Sequence, residues 1–299
     1  MSIGQKFLTT AIAAGLTATA FSATTASAQE EAPSINNGAV SFSLGADAPT
    51  QYVFRGFELE DSGFILQPYA EASFAIYEGI DFYVGTWNSL HSNQTSTTGN
   101  NEVWFESDFY AGFAFDLETL EILDNFSVDI SYIAYLSPNG GFSDYQEIDL
   151  AVGYDDEGLW GFLGEWAEDL SFSPYGLIAF EFEADGAAGD SNNIYIELGA
   201  EYSRNIVESE DYPIDLTIPV VVGLSIDEFY ADSTGDNEAF GFVSVGANFG
   251  VPLSFIPTDF GSWSAGAGVT VFFQNGDVAL DDNSSDVLVV GSVGVAMEY

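Results

Sequence analysis

The chain has no cysteine, one histidine and three basic residues in 299. Without cysteine there is no disulfide framework and no thiolate nucleophile, and a lone His91 cannot complete a Cys/His zinc site. Lys6, Arg55 and Arg204 face 47 acidic residues, a formal net charge of −44. A chain so acidic is repelled by phosphate backbones, which argues against nucleic acid as a partner. Past the first 28 residues there is no apolar run of the roughly 20 residues that a membrane-spanning helix needs. Extreme charge often signals disorder, but 26 Phe, 15 Tyr and a 47% hydrophobic composition contradict that here.

Residues 1–28 carry Lys6, an apolar stretch and the small-residue sequence Ala26-Ser27-Ala28. This is the pattern of a secretory signal peptide, cleaved before Gln29. A transmembrane anchor would need a longer and more apolar stretch than this Thr- and Ala-rich one. Residues 29–39 then form a short N-terminal segment, and residues 40–299 a single domain.

That domain is written with a period of two. In Asn193–Tyr202, Ile194, Ile196, Leu198, Ala200 and Tyr202 fall on one face, while Tyr195, Glu197, Gly199 and Glu201 fall on the other. Strict alternation is the signature of a half-buried strand, because successive side chains point to opposite faces. About a dozen such stretches follow one another, over approximately 40–56, 63–77, 79–90, 102–116, 125–137, 143–155, 171–184, 192–204, 213–226, 236–249, 261–274 and 285–299. Most are more than twice the roughly 5 to 6 residues usual in soluble sheets. Long strands with one continuous apolar stripe predict an all-β fold, an antiparallel transmembrane β-barrel of about 12 strands. The rival prediction, a secreted β-sandwich, would hide the same stripe between two sheets.

Charge sorts the two faces. The strand acids Glu71, Glu106, Asp108, Asp129, Glu147, Asp149, Glu181, Glu197, Glu201 and Asp215 lie on the polar side. A carboxylate at mid-membrane would cost roughly a few kcal/mol on the lipid side, so these residues are expected to line a lumen. Tyr52, Phe54, Trp87, Trp104, Trp263 and Tyr299 lie near strand ends and are expected in aromatic girdles. Pro68 and Pro219 sit inside proposed strands and predict a bulge or kink. The last strand alternates through Val293, Val295 and Met297 to a terminal Tyr299, the type of signal read by outer-membrane assembly machinery. Among the inner connections, Leu159–Trp166 suggests a small helix or interfacial segment.

Three short motifs add a family resemblance. Tyr52-Val53-Phe54-Arg55-Gly56 resembles the early Tyr-x-x-Arg-Gly motif of the TorF-type porins, placed on their first strand. Phe82–Ser89 is similar to their aromatic-Gly-x-Trp-x-Ser third strand, and Glu106–Phe113 to their acidic-then-Tyr-x-Gly fourth strand. The motifs occur in the family's order and cover the first half of the secreted chain. The resemblance implies a twelve-stranded pore. The near absence of Lys and Arg and the length of the inner connections depart from the family.

A twelve-stranded barrel lies between small side-chain-filled barrels and open porins, which predicts a narrow, partly occluded passage. An acidic lumen concentrates cations, so passive diffusion of small cationic or neutral solutes through an outer-membrane porin is the expected function. The alternatives are a non-conducting structural or adhesive barrel and the soluble sandwich. The expected partners are outer-membrane lipid, the assembly machinery and the solutes. No cofactor is expected.

Arg55, pointing inward, is expected to bind Glu71, Glu106 or Asp108 on neighbouring strands, either as an internal tie or as a constriction charge. The overall acidity can also reflect a saline habitat. Asp277, Asp281, Asp282 and Asp286 read as a solvated loop rather than a calcium site, since the Gly-punctuated spacing of a calcium loop is missing. His91 reads as a solvated loop residue, so no catalytic residue and no enzyme activity is expected.

Overall fold

The computed structural model describes residues 38–93, 103–164, 167, 170–182, 193–209, 212–278 and 286–299; the proposed signal peptide therefore lies outside the described residues. Fourteen strands follow in chain order: β1 (Val40–Pro49), β2 (Tyr52–Phe54), β3 (Phe57–Glu60), β4 (Ile65–Tyr77), β5 (Ile80–His91), β6 (Trp104–Asp116), β7 (Phe126–Leu136), β8 (Tyr145–Tyr154), β9 (Tyr175–Phe182), β10 (Ile194–Val207), β11 (Ile214–Asp227), β12 (Phe240–Pro252), β13 (Ser262–Gln274) and β14 (Val287–Glu298). β1 and β4 to β14 form one closed antiparallel barrel of twelve strands, with β14 returning to pair with β1. The barrel strands run from 8 residues in β9 to 14 in β10 and β11.

The alternation in the sequence becomes inside and outside. On β11, Asp215, Thr217, Val221, Gly223 and Ser225 are buried toward the bore, while Val220 and Ile226 are exposed on the outer wall. The outer wall elsewhere shows Phe109, Phe113, Ile130, Ile148, Leu150, Leu198, Val245, Val269, Val289 and Val293. A closed barrel leaves this greasy band with no second sheet to cover it, so the sandwich alternative fails, and the band suits lipid.

The structure corrects two details. The first stretch is not one strand over 40–56: β1 ends at Pro49, and residues 52–60 form a separate two-stranded hairpin of β2 and β3. Neither proline makes a bulge. The β4–β5 register is the same before and after Pro68, which merely interrupts pairing with β5 between Leu66 and Tyr69. Pro219 likewise interrupts pairing with β12 between Thr217 and Val220 without a shift. Each proline gives up its ladder bonds on one side only, keeping a partner on the other, Ala46 for Pro68 and Glu201 for Pro219. In the Leu159–Trp166 segment, where a small helix is one expectation, Leu159–Leu163 forms a short 3-10 helix.

The start of β1 and the end of β14 define one end of the barrel. Phe42 and Tyr299 exchange backbone hydrogen bonds of 2.9 and 2.8 Å there. The β2–β3 hairpin belongs to the other end, the hairpin end, where it turns inward instead of outward.

Candidate functional site

The wall of the bore is built from reciprocal aromatic–glycine pairs. Tyr83 of β5 stands directly opposite Gly112 of β6, and Gly85 opposite Tyr110. A methyl group added at Gly85 would fall within 2.4 Å of the Tyr110 hydroxyl, and one at Gly112 within 2.3 Å of the Tyr83 hydroxyl. Each tyrosine therefore lies flat across the glycine of the neighbouring strand, covering backbone and filling the bore at once. Gly45 with Tyr69, Gly199 with Tyr175 and Gly223 with Phe242 repeat the arrangement around the barrel. This packing gives two of the sequence motifs, Phe82–Ser89 and Glu106–Phe113, a physical meaning.

The third motif is the plug. Phe54 pairs with Phe57, leaving Arg55 and Gly56 as the two turn residues, with φ of 47° and 88°. Positive φ at both positions makes a tight primed turn matched to strand twist. Glycine accepts this freely, whereas an arginine in the left-handed region costs roughly 1–2 kcal/mol. What the arginine contributes is its side chain. The Arg55 guanidinium donates to both carboxylate oxygens of Glu147 on β8, at 2.6 and 2.9 Å, with both side chains almost fully buried. Its cation also lies 4.4 Å from the Tyr195 ring, 4.9 Å from Phe54 and 5.5 Å from Phe229.

Other contacts hold the hairpin across its whole width. The Tyr52 hydroxyl donates to Glu106 at 2.7 Å, and its ring packs 5.6 Å from Trp87. The Phe54 ring meets Tyr135, whose hydroxyl donates to Glu147 at 3.1 Å. On the opposite side the Tyr230 hydroxyl donates to the Arg55 carbonyl at 2.7 Å, and the Gln274 amide donates to the Gly56 carbonyl. The hairpin thus spans the bore and touches wall on both sides.

The predicted lumen acids all face this interior. Glu106, Asp108, Glu147, Asp149, Glu181 and Glu197 are almost fully buried at the plugged level; Asp129 and Asp215 are buried as well, while Glu71 and Glu201 are half-buried. Several are satisfied by phenols: Tyr83 donates to Asp129, and Tyr175 and Tyr195 both donate to Glu197. Neither carboxylate oxygen of Asp108 receives a hydrogen bond. A cavity of about 10 Å³, lined by Tyr110, Asp129, Ser131 and Asp149 among others, lies between these strands.

Three sequence expectations need correction. Arg55 does not bind Glu71, Glu106 or Asp108, because it sits on a hairpin tip that crosses the bore to β8, not on the first strand. Tyr52, Phe54 and Trp87 are interior residues, exposed 1%, 2% and 3%, not part of an outer girdle. Period-two reasoning placed Tyr52 and Phe54 on a strand that ends three residues earlier, and Trp87 shares the inward face with Tyr83. His91 is not a solvated loop residue. It is fully buried at the end of β5, stacked 4.6 Å from Phe105, with Nε2 2.7 Å from the Ser89 hydroxyl. Its Nδ1 lies 3.9 Å from Glu60, too far for the hydrogen bond that would orient a catalytic base, and Ser89 is itself sealed from solvent.

Trp104, Trp263 and Tyr299 lie on the outer surface near strand ends. A register shift between Ser89 and Leu90 allows Phe105 and Glu106 both to be buried while Trp104 stays outside. Val293 and Val295 are exposed on the outer wall, with Met297 and Tyr299 continuing the row half-exposed. Asp281 and Asp282 lie outside the described residues. In another hairpin-end loop, the Asp232 carboxyl is held below the usual carboxylate range by the Thr234 hydroxyl and by the amides of Asp236 and Thr234, so it caps its own turn. Among the described residues no three acidic or histidine side chains are placed to hold a metal ion.

Solved structures similar to this one include a NanC porin, at a TM-score of 0.42 and 9% identity over 86% of this chain and 98% of that one. The COG4313 outer membrane channel from Pseudomonas putida F1 matches at 0.42 and 8% identity over 91% and 97%. LpxR from Salmonella typhimurium matches at 0.44 and 6% identity over 86% and 99%. No curated protein matches the sequence. A family model does match, over residues 34–253, and the chain belongs to that family, described as a bacterial protein of unknown function (Gcw_chp).

Proposed function

We propose that the protein is an outer-membrane channel of the porin type, secreted through a cleaved signal peptide, whose acidic bore passes small cationic or neutral solutes when the β2–β3 hairpin gives way. The carrying observation is the sorting of the wall: a closed barrel with apolar residues outside and its strand carboxylates inside. Like-signed charges on the walls of a low-dielectric bore attract cations and repel anions. With the start of β1 and the end of β14 on the periplasmic side, the hairpin is the first outer loop folded inward, and Arg55 is both its fastener and a strong cation in the passage. The resemblance to TorF-type porins supports the same reading, and the alternating strand ending at Tyr299 suits recognition by the assembly machinery.

A second reading is favoured by the hairpin itself. Side chains seal the plugged level so thoroughly that a permanently closed barrel, serving as a structural or adhesive element, fits the same packing. Planar-bilayer recording of the refolded protein separates the two. The channel reading expects rare, small cation-preferring openings in the native protein. Replacing residues 52–60 by a short Gly-Ser link should give frequent, larger openings of the same preference. Anion-preferring current would overturn the selectivity, and silence from both proteins would establish the closed barrel.

A further inference from the structure

Only two bases remain beyond the proposed signal peptide, and one of them is locked inside on Glu147. The other, Arg204, stands exposed on the outward face of β10, three residues before the strand ends at Val207. Among the described residues it has no ion-pair partner. Among the described residues this outward cation therefore stands beside the apolar wall, in a chain of net charge −44, open to an anionic group from outside the chain.

Its surroundings are built. The described residues between β8 and β9 cover the wall beside it: the Trp160 ring packs edge-on to Phe172 at 5.3 Å, and Phe172 packs on Tyr202 at 6.0 Å. Tyr202 and Arg204 are two residues apart on the same face of β10, roughly 6.6 Å along the strand. Asp156 holds the loop in this position. It accepts from the Trp160 indole at 2.7 Å, the Ser171 hydroxyl at 2.7 Å and the Phe172 and Ser173 amides at 2.9 Å each. Fastened so, the 3-10 turn exposes Leu159, Phe162 and Leu163, with Phe162 76% exposed. Apolar residues left bare next to a membrane-facing wall, with a cation at the same rim, suit the boundary between headgroups and acyl chains.

We propose that this rim is a binding site for one phospholipid of the inner leaflet, its phosphate held by Arg204 and its chains lying against the Leu159–Leu163 turn and the β10 wall. The inference rests on the membrane reading above. The headgroup is zwitterionic and amine-bearing: the rest of the chain repels a net anion, and Glu208, just past β10, offers a carboxylate to an ammonium.

Native mass spectrometry of the refolded protein in detergent, with added dioleoyl phosphatidylethanolamine, tests this. One retained lipid is expected. Arg204→Gln should weaken retention about tenfold, the worth of one charge-assisted hydrogen-bonded contact, and Arg204→Lys should recover part of it. A Leu159→Ser/Phe162→Ser variant, which keeps the arginine, should also lose lipid. Diacylglycerol should not be retained, and phosphatidylglycerol should bind less well. Equal retention by Arg204→Gln and the native protein overturns the site, as does equal retention of diacylglycerol. Preference for phosphatidylglycerol overturns the headgroup assignment. Failure of the membrane reading looks different: the protein would leave cells in the soluble fraction without detergent.

Discussion

The two halves of the barrel wall are made of different material. From β4 to β11 the inner face carries Glu71, Glu106, Asp108, Asp129, Glu147, Asp149, Glu181, Glu197, Glu201 and Asp215, interleaved with tyrosines. From β12 through β14 it carries Phe242, Phe272, Gln274, Leu288 and Val290 at the hairpin end and Ser244, Gly246, Asn248, Gly266, Gly268, Thr270, Ser292 and Gly294 below them, with Glu298 at the terminal end and Asp47 on adjoining β1 as the acids. The hairpin grips the first wall through Arg55, Tyr52 and Phe54, and meets the second through Val53, which packs in a cluster with Phe242, Phe272, Leu288 and Val290, and through the Gly56 carbonyl, which accepts from Gln274. An ion pair and two aromatic contacts make one side a lock; apolar packing of Val53 and two hydrogen bonds to backbone carbonyls, with no charge pair, make the other side a rest. A hairpin that opens should therefore release first from the wall without the ion pair and pivot on the acidic one.

Breaking the lock should have the largest effect. Arg55→Ala leaves Glu147 buried and uncompensated, a loss of about 3–5 kcal/mol. Arg55→Met with Glu147→Leu should recover most of it, because the desolvation of two charges disappears along with their attraction. Gln274→Ala on the resting side should cost only about 1 kcal/mol, the worth of one hydrogen bond. Thermal unfolding in detergent, followed by heat-modifiable migration, ranks the three. A Gln274 loss as large as that of Arg55 would erase the asymmetry.

The aromatic–glycine pairs offer a finer contrast. Gly85→Val must displace Tyr110, and overpacking of this kind costs about 1–3 kcal/mol. At Gly291 on β14 the nearest neighbour to an added methyl is Thr50 at 3.5 Å, an ordinary contact, so Gly291→Ala should stay within about 0.5 kcal/mol. The same melts, run on these two variants, would sink the interlocking account if both were silent.

The strands and the sorting of acids were legible in the sequence because both depend on a period of two, which survives errors of a few residues at each end. Trp263 and Tyr299 could be placed outside for the same reason. The hairpin could not. Tyr52 and Phe54 continue the alternation of β1 as if the strand ran on, and nothing local distinguishes a strand crossing lipid from a short one crossing the bore. A usable signal existed in Pro49 followed by Arg55-Gly56, a strand terminator and a turn whose second residue is glycine. His91 was misplaced because the polar residues after it read as loop, while its own burial depends on Phe105, contributed by the next strand.

Asp156 supplies the smallest and cleanest test, since it is a buried carboxylate outside the bore with a different set of donors. The acids of the bore rely on phenols, on the Arg55 guanidinium for Glu147, on asparagine amides for Glu181 and Asp215 or, for Asp108, on no hydrogen-bond donor. Burial alone would disfavour the charge of Asp156, but the Ser171 hydroxyl, the Trp160 indole and the Ser173 and Phe172 amides together outweigh it and hold the carboxyl below the usual range. A depressed folded value means the charged form stabilises the loop at every pH above the unfolded value of about 3.9. That stabilisation is lost as pH falls below it, through the folded value. Asp156→Asn keeps the shape and removes the charge. Protection of the Phe172 and Ser173 amides from hydrogen exchange, normalised to a mid-strand amide of β8, should differ between native and variant by a constant amount above about pH 5. The difference should shrink below about pH 4 as the native carboxyl takes up its proton. A difference that stays constant down to strong acid would mean that the loop is fastened by packing on Tyr202 and not by this carboxylate.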